Sequence, residues 1–396
     1  MAVTQEVVSD GRSVPKPRLL RELALLYVRL GTTAFGGPAA HIALMEEEVV
    51  RRRNWLTHEQ FLDLLGVVNL IPGPNSTQMA IQIGYRVAGW PGLLVGGICF
   101  IFPAALLTLI LAWLYVRYGT LPQAAAVLYG VKGVMVAVVL QAIWNLARAA
   151  VKTRVLALIG VLAILANTFG LNVLLVLFGA GMIVLAAKEA AGFKSFRSKA
   201  LSLLPQNPLL SLTGTLGTAA PFGLLPLFLF FLKVGAVLFG SGYVLLALLR
   251  TDLVVRFHWL TDKQLLDAIA VGQVTPGPVF TTATFIGYLL GGTPGAVVAT
   301  TGIFLPSFLF IAVIGPLVPR LRRSPVFGAF LDGVNVGALA LMVVVTWHLG
   351  KAAIIDVTTG ALAILSLIAL IRFKINTSWL ILAGGILGLL AARGLG

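Results

Sequence analysis

The sequence predicts an all-α polytopic membrane protein built as two inverted-topology repeats, with discontinuous or re-entrant helices at a pair of Pro-Gly-Pro breaks. Three observations carry that prediction. The 396 residues are 59% hydrophobic and only 11% charged, against roughly 25% charged in soluble chains. Such a chain lacks the polar residues to cover a soluble surface and has length for about ten spans of ~20 residues. The sequence also repeats itself, and each repeat carries Pro-Gly-Pro between two apolar stretches too short to cross a bilayer singly. Soluble-enzyme and nucleic-acid-binding readings are excluded, despite 29 Lys+Arg against 14 Asp+Glu and a net charge of +15.

The repeat is found by sliding the sequence 204 positions. Gly31, Phe35 and Gly36 fall on Gly235, Phe239 and Gly240, Trp55-Leu56-Thr57 on Trp259-Leu260-Thr261, and Pro72-Gly73-Pro74 on Pro276-Gly277-Pro278. Between Arg29 and Pro74 about 17 of 46 pairs are identical, far above chance for a biased composition. After one deletion the match continues at 203, with Gly84-Tyr85 on Gly287-Tyr288, Pro103 on Pro306 and Trp144 on Trp347. The chain therefore divides into a polar, interfacial N-terminal segment (1–22), a first repeat (23–188), a linker (189–223) and a second repeat (224–396). The N-terminus has no apolar core followed by a small-residue cleavage site, so it does not read as a signal peptide. The single Cys99 lies in an apolar run and allows no disulfide or Cys-ligated cluster within one chain.

Each half opens with an apolar run, Ala24–Met45 and Leu224–Leu249, read as a first span, and a polar segment with a tryptophan follows. Next come the paired short stretches, Phe61–Ile71 with Gln78–Val87 and Leu265–Val274 with Thr281–Leu290. Proline ends a helix before it and starts one well, so two half-helices meeting at depth are expected at each Pro-Gly-Pro. Four further runs follow, near 92–116, 124–147, 154–167 and 171–187, with partners near 295–318, 326–349, 354–371 and 377–392.

Basic loops orient the halves. The clusters are Arg51–Arg53, Arg148/Lys152/Arg154, Lys188/Lys194/Arg197/Lys199, Arg320/Arg322/Arg323 and Arg372/Lys374, and those of the second half sit at different loops of the repeat. Placing all of them in the cytoplasm makes the halves antiparallel, each with an odd number of crossings. Secondary transporters have that architecture, with the site at the midplane. The basic stretch Arg12–Arg21 resists the scheme unless the first span is itself broken at Gly36-Gly37-Pro38.

Broken helices at depth leave backbone N–H groups free at a partly positive helix start. Pro72-Gly73-Pro74 followed by Asn75, Ser76, Thr77 and Gln78 offers such a start, with hydroxyl and amide donors, and so does Pro276-Gly277-Pro278 followed by Thr281 and Thr282. A packing kink is the bland alternative for one such break; two at equivalent positions favour a site. Gly36-Gly37 and Gly240-Ser241 mark the second break, with Arg29 and Lys233 about a turn or more before it. Snorkelling accounts equally well for Arg29. His41 is a proton carrier or, more commonly, a hydrogen-bonded packing residue. Arg86 and Lys132 are weaker candidates. None of the acids falls in the middle of a long apolar run, so the expected membrane core is cationic, hydroxyl and amide, suited to an anion and not to a metal or cofactor.

Phe35-Gly36-Gly37-Pro38-Ala39-Ala40-His41, Glu46–Trp55, Asn69-Leu70-Ile71-Pro72-Gly73-Pro74, Gly84-Tyr85-Arg86, Phe239-Gly240-Ser241-Gly242-Tyr243 and Thr275-Pro276-Gly277-Pro278 resemble the bacterial chromate ion transporter family, in its long-chain, two-domain form. The resemblance implies export of chromate, a sulfate-like tetrahedral dianion, chromate resistance, oppositely oriented halves, and roles for Phe35, Gly36, Gly37, Pro38, His41, Pro72, Gly73, Pro74 and Arg86. The second half departs where Gly242, Leu245 and Arg250 replace Pro38, His41 and Glu46. The expected protein is a multi-pass transporter of the bacterial inner membrane, working by alternating access on chromate or a sulfate-like oxyanion. Its partners are that anion and the lipid bilayer, without nucleic acid, and a homo-oligomer is compatible with the sequence. The alternatives are a passive oxyanion channel, a sulfate transporter and a membrane oxidoreductase such as a chromate reductase, the last without a cofactor motif to support it.

Overall fold

The structure, a computed structural model, describes residues 8–9, 12–13, 16–35, 37–119, 121–192, 222–238, 245–314, 325–373, 375 and 377–394. A two-residue antiparallel pair, β1 (Val8–Ser9) with β2 (Arg12–Ser13), precedes an all-helical body.

The first apolar run of each half is a hairpin and not a span. Helix α1 (Lys16–Thr33) ends at mid-depth, and α2 (Gly37–Glu46) returns beside it, widening into a π-helical turn over Glu47–Arg52. Three rungs fix the antiparallel return: His41 Nε2 lies 3.0 Å from the Ala34 carbonyl, Arg29 pairs with Glu48 at 2.5 Å, and Arg53 lies 3.7 Å from Glu22. The turn needs Gly37, whose φ is +77°, a conformation that costs a residue with a Cβ about 1–2 kcal/mol. In the second half α8 (Leu224–Val237) is followed by α9 (Leu245–Leu249) and the π-helical turn Arg250–Arg256. There Lys233 pairs with Asp252, and the Phe230 and Phe257 rings are 6.3 Å apart.

A second hairpin carries the Pro-Gly-Pro. Helix α3 (His58–Val68) and its counterpart α10 (Asp262–Val274) start with the same capping box, Thr57 with Gln60 and Thr261 with Gln264, which satisfies two otherwise orphaned amides. Across the break, α4 (Asn75–Tyr118) begins. Its 44 residues would make a rod of about 66 Å, twice a bilayer core, but Ala88 and Gly89 leave helical dihedrals and the chain doubles back. Gly84 and Gly92 then touch backbone to backbone, and a Cβ on Gly96 would sit 2.5 Å from the Ala80 carbonyl oxygen. A short arm (75–87) thus lies antiparallel to a long crossing arm. The 3₁₀ turn Val279–Thr281 and α11 (Thr282–Ile314) repeat this, with the reversal at Gly291–Gly292 and Gly287 against Gly295.

The remaining helices are α5 (Pro122–Ala150), α6 (Arg154–Thr168), α7 (Val173–Gly192), α12 (Pro325–Ala353), α13 (Val357–Arg372) and α14 (Thr377–Gly394). They are exchanged between halves: α5 packs on α13 and α14, and α12 on α6 and α7. Glycines allow the close approach, Gly130 against the Gly384 carbonyl and, at the equivalent position, Gly333 against that of Ala180.

The long arms of α4 and α11 run antiparallel, Gly97 facing Phe308 while Leu93 and Ile311 share one cluster. The halves are therefore inverted. Because α1 and α2 form a hairpin, the N-terminal stretch lies on the same face as Arg51–Arg53, the end of α5 with Arg148 and Lys152, and the end of α13 with Arg372. That removes the objection the basic N-terminus raised. The first run, expected to be a span, turns back instead; among the described residues of the first half, α4 and α5 are long and apolar enough to cross a membrane, and α6 and α7 are shorter apolar helices. Lys194, Arg197, Lys199, Arg320, Arg322, Arg323 and Lys374 lie outside the described residues.

Candidate functional site

The two Pro-Gly-Pro tips and the ends of α1 and α8 converge at the centre. The Gly73 amide donates to the Leu238 carbonyl at 2.6 Å, and the Gly277 amide to the Ala34 carbonyl at 2.9 Å. These bonds are equivalent under the 204-residue repeat: each Pro-Gly-Pro is pinned to the end of the first helix of the other half. Glycine is required because φ is +128° at Gly73 and +85° at Gly277, and because neither flanking proline has an N–H to give. Helix α4 then starts at Asn75 behind Pro74, which offers no side-chain cap. The first amides of such a helix have no acceptor within it and carry the positive end of its dipole. Ser76 and Thr77 are buried beside them, and Asn75 Nδ2 donates to Asn69 Oδ1 at 2.9 Å.

The two tips differ in how their polar atoms are used. At the second, the Thr281 hydroxyl donates to the Pro278 carbonyl at 2.9 Å and accepts from Thr108 at 3.2 Å, while Thr282 donates to the Val279 carbonyl at 2.8 Å. At the first, Gln78 Nε2 donates to the Pro72 carbonyl at 2.5 Å, but Thr77 Oγ1, Gln78 Oε1, Gln82 Oε1 and Ser307 Oγ are buried without a partner. Gln78 was among the donors read after the first Pro-Gly-Pro, whereas Gln82 and Ser307 were not singled out from sequence. The available signal was Gln78 and Gln82 one helical turn apart in an apolar stretch, with Phe285 opposite Gln82 in the other repeat.

The core cations are all paired. Arg29 holds Glu48, and Lys233 holds Asp252 at the equivalent position. Lys132 Nζ lies 3.1 Å from Asp267, which accepts from Tyr115 Oη at 2.8 Å. Asp267 is 0% exposed, which overturns the expectation of a core without carboxylates. Hydropathy missed it because Asp267 sits on a half-helix, outside the long apolar runs, and because its partners come from α4 and α5. Arg86 is exposed near the end of the short arm of α4, away from the tip. Gly37 and His41 lie on the first hairpin, His41 sharing the Ala34 carbonyl with Gly277. Gly36, Gly240 and Ser241 fall outside the described residues. Among the described residues no three His, Cys, Asp or Glu side chains gather to hold a metal.

The chromate transporter family matches this chain twice, over residues 21–185 and 225–389. The chain belongs to the chromate transporter family. A chromate transport protein of Cupriavidus metallidurans is 34% identical over 94% of this chain and 93% of its own length. One of Pseudomonas aeruginosa is 30% identical over 95% and 93%. An uncharacterized transporter of Bacillus subtilis, YwrA, is 30% identical over 41% of this chain and 93% of its own length. No solved structure matches. The family's two matched stretches each begin within the first hairpin's outer helix and end on the last helix of the half, so one unit of the family comprises two hairpins and the crossing segments that follow.

Proposed function

We propose that this protein is a multi-pass transporter of the bacterial inner membrane that exports chromate, a sulfate-like tetrahedral oxyanion, by alternating access between its two inverted halves. The observation that carries this reading is the reciprocal pinning of the two Pro-Gly-Pro tips at the centre of an inverted repeat. Helix starts aimed at a midplane site are how transporters of this architecture meet anionic groups, and the family and its named relatives supply the chromate. The oxyanion sits among Pro72, Gly73, Pro74, Asn75, Ser76 and Thr77 on one side and Pro276, Gly277, Pro278, Thr281 and Thr282 on the other. Gly37 and His41 shape the adjoining hairpin of the first half, and Gly36, Gly240 and Ser241 belong to the proposed site on the sequence motif alone. Arg29, Lys233 and Arg86 set the potential on the way in. The family and its relatives, named as chromate transport proteins, support transport of the substrate over its chemical transformation.

Purified protein in liposomes tests this. Labelled chromate flux is expected to saturate with concentration and to show counterflow against unlabelled chromate trapped inside. Flux that is linear and conductive would assign the scaffold to a channel. Inside-out vesicles should accumulate chromate and right-side-out vesicles should not; the reverse polarity would overturn export.

A further inference from the structure

Equivalent positions around the two tips carry different chemistry, and the difference runs one way. The point where a Cβ on Gly73 would stand is 2.5 Å from Gln78 Nε2 and 2.8 Å from Ser307 Oγ. The corresponding point at Gly277 is 2.7 Å from Ala104 Cβ and 2.9 Å from the Gly31 carbonyl oxygen. Ser307 and Ala104 are repeat equivalents, as are Gln82 and Phe285. The second tip is thus lined with apolar side chains, and its threonine hydroxyls are used up within the protein. The first tip gathers four side chains no more than 6% exposed, each with a polar atom that has no partner. Buried polar groups in native proteins are very largely satisfied, and each exception calls for a cause. Here four exceptions surround a bare helix start.

We propose that the chain has one oxyanion site, at the first Pro-Gly-Pro tip, formed by Gln78, Gln82 and Thr77 of the first half and Ser307 of the second. It binds by hydrogen bonds alone. The hydroxyls of Thr77 and Ser307 donate, Gln78 keeps its second N–H, and the Gln82 amide can turn its nitrogen inward. Gln78 and Gln82 stand one turn apart on a single helical face, above the free amides of 75–77. No cation is assigned to the site, because Arg29, Lys132 and Lys233 each face a carboxylate of their own. Ser307 makes the site a property of both halves. This inference rests on the transport reading above and narrows it from two tips to one.

The test uses the full-length protein in detergent, with chromate and sulfate as probes in calorimetric titrations, alongside thermal unfolding without ligand. Gln82→Leu and Ser307→Ala bring the first tip toward the second. Each is expected to weaken chromate binding about tenfold or more, the effect of losing one hydrogen bond to a charged ligand. Each should leave the ligand-free melting temperature unchanged or higher, since an unsatisfied buried group is removed. Thr108→Val at the second tip should leave affinity unchanged, and wild-type stoichiometry should be one anion per chain. Unchanged affinity in Gln82→Leu and Ser307→Ala would overturn the site and leave these atoms to buried water. A lower melting temperature with an equal loss of binding would make them structural. Two anions per chain would restore the symmetric arrangement. Wild-type protein that binds neither probe but still transports chromate would also overturn the inference, while wild-type protein that does neither would remove the transport reading itself.

Discussion

The two halves repeat the same turns and reversals, yet no longer share an electrostatic plan. Asn54 and His258, 204 positions apart, are the described non-glycine residues with positive φ, at 50° and 55°. The π-helical turns, the capping boxes and the reversals at Gly89 and Gly292 recur in the same way. By contrast, Asp267 is sealed against Lys132 and Tyr115, while its equivalent Asp63 is exposed and Asn335 stands where Lys132 would. Some differences are balanced locally. Glu46 with His58 in the first half becomes Arg250 with Asp262 in the second, the acid and its basic partner exchanging places. The geometry of a tip is set by glycine and proline, which tolerate little exchange. What a tip touches is set by side chains, which diverge freely once paired.

Breaking that comparison at the sealed pair has the largest expected effect. Lys132→Met strands a buried carboxylate and should cost about 3–5 kcal/mol, with Lys132→Met/Asp267→Leu recovering most of it. Asp63→Asn should stay within about 0.5 kcal/mol. Thermal unfolding in detergent reads all three. A full loss in the double variant would mean that the ion pair itself carries stability. The tip glycines come next. Gly73→Ala and Gly277→Ala both place a Cβ at positive φ, but the first displaces the ends of Gln78 and Ser307 and the second meets Ala104 and backbone. Chromate affinity should fall at least tenfold in the first, while folded Gly277→Ala protein should retain its affinity.

Smaller effects sharpen the picture. Glu46→Arg alone should cost about 1 kcal/mol and Glu46→Arg/His58→Asp close to nothing, because the swap copies the other half. Smallest is the start of α13. Asp356 caps it where the first half uses Thr153, and the Thr359 amide, then the Tyr129 hydroxyl, hold its carboxyl below the usual carboxylate range. A depressed carboxylate stabilises the fold above its unfolded pKa and loses that contribution as pH falls through its folded value. Asp356→Thr should therefore lower the melting temperature slightly at neutral pH, and the gap to wild type should close as the pH falls below that range.

Much of the architecture was legible because duplication writes each signal twice. Pro-Gly-Pro at both places, the short runs on either side and the basic loops together predicted re-entrant hairpins and inversion. Gly36-Gly37-Pro38 marked the remaining fold-back without deciding it, since glycines also occur in unbroken spans. The site was less legible. Arg29 and Lys233 were visible as charges in apolar surroundings, but their carboxylates, 19 residues on in each half, sit in segments that read as interface. Ser307 lies in an apolar run and acquires meaning only where the other half brings Gly73 and Gln78 to it. Pairing across 152 residues, as between Tyr115 and Asp267, leaves no local trace.

The exchanged helices bear on how the chain is made. Helix α5 is complete early in synthesis, but its neighbour α14 follows some 250 residues later, with Gly130 waiting for Gly384. At ~5–20 residues per second this is roughly 13–50 s of synthesis. Through that interval the glycine-lined flank of α5 has lipid, or a membrane chaperone, in place of its partner. Truncation near the C-terminus should therefore leave the first half unassembled along α5, and ribosome stalling within the linker should prolong a vulnerable intermediate open to proteolysis.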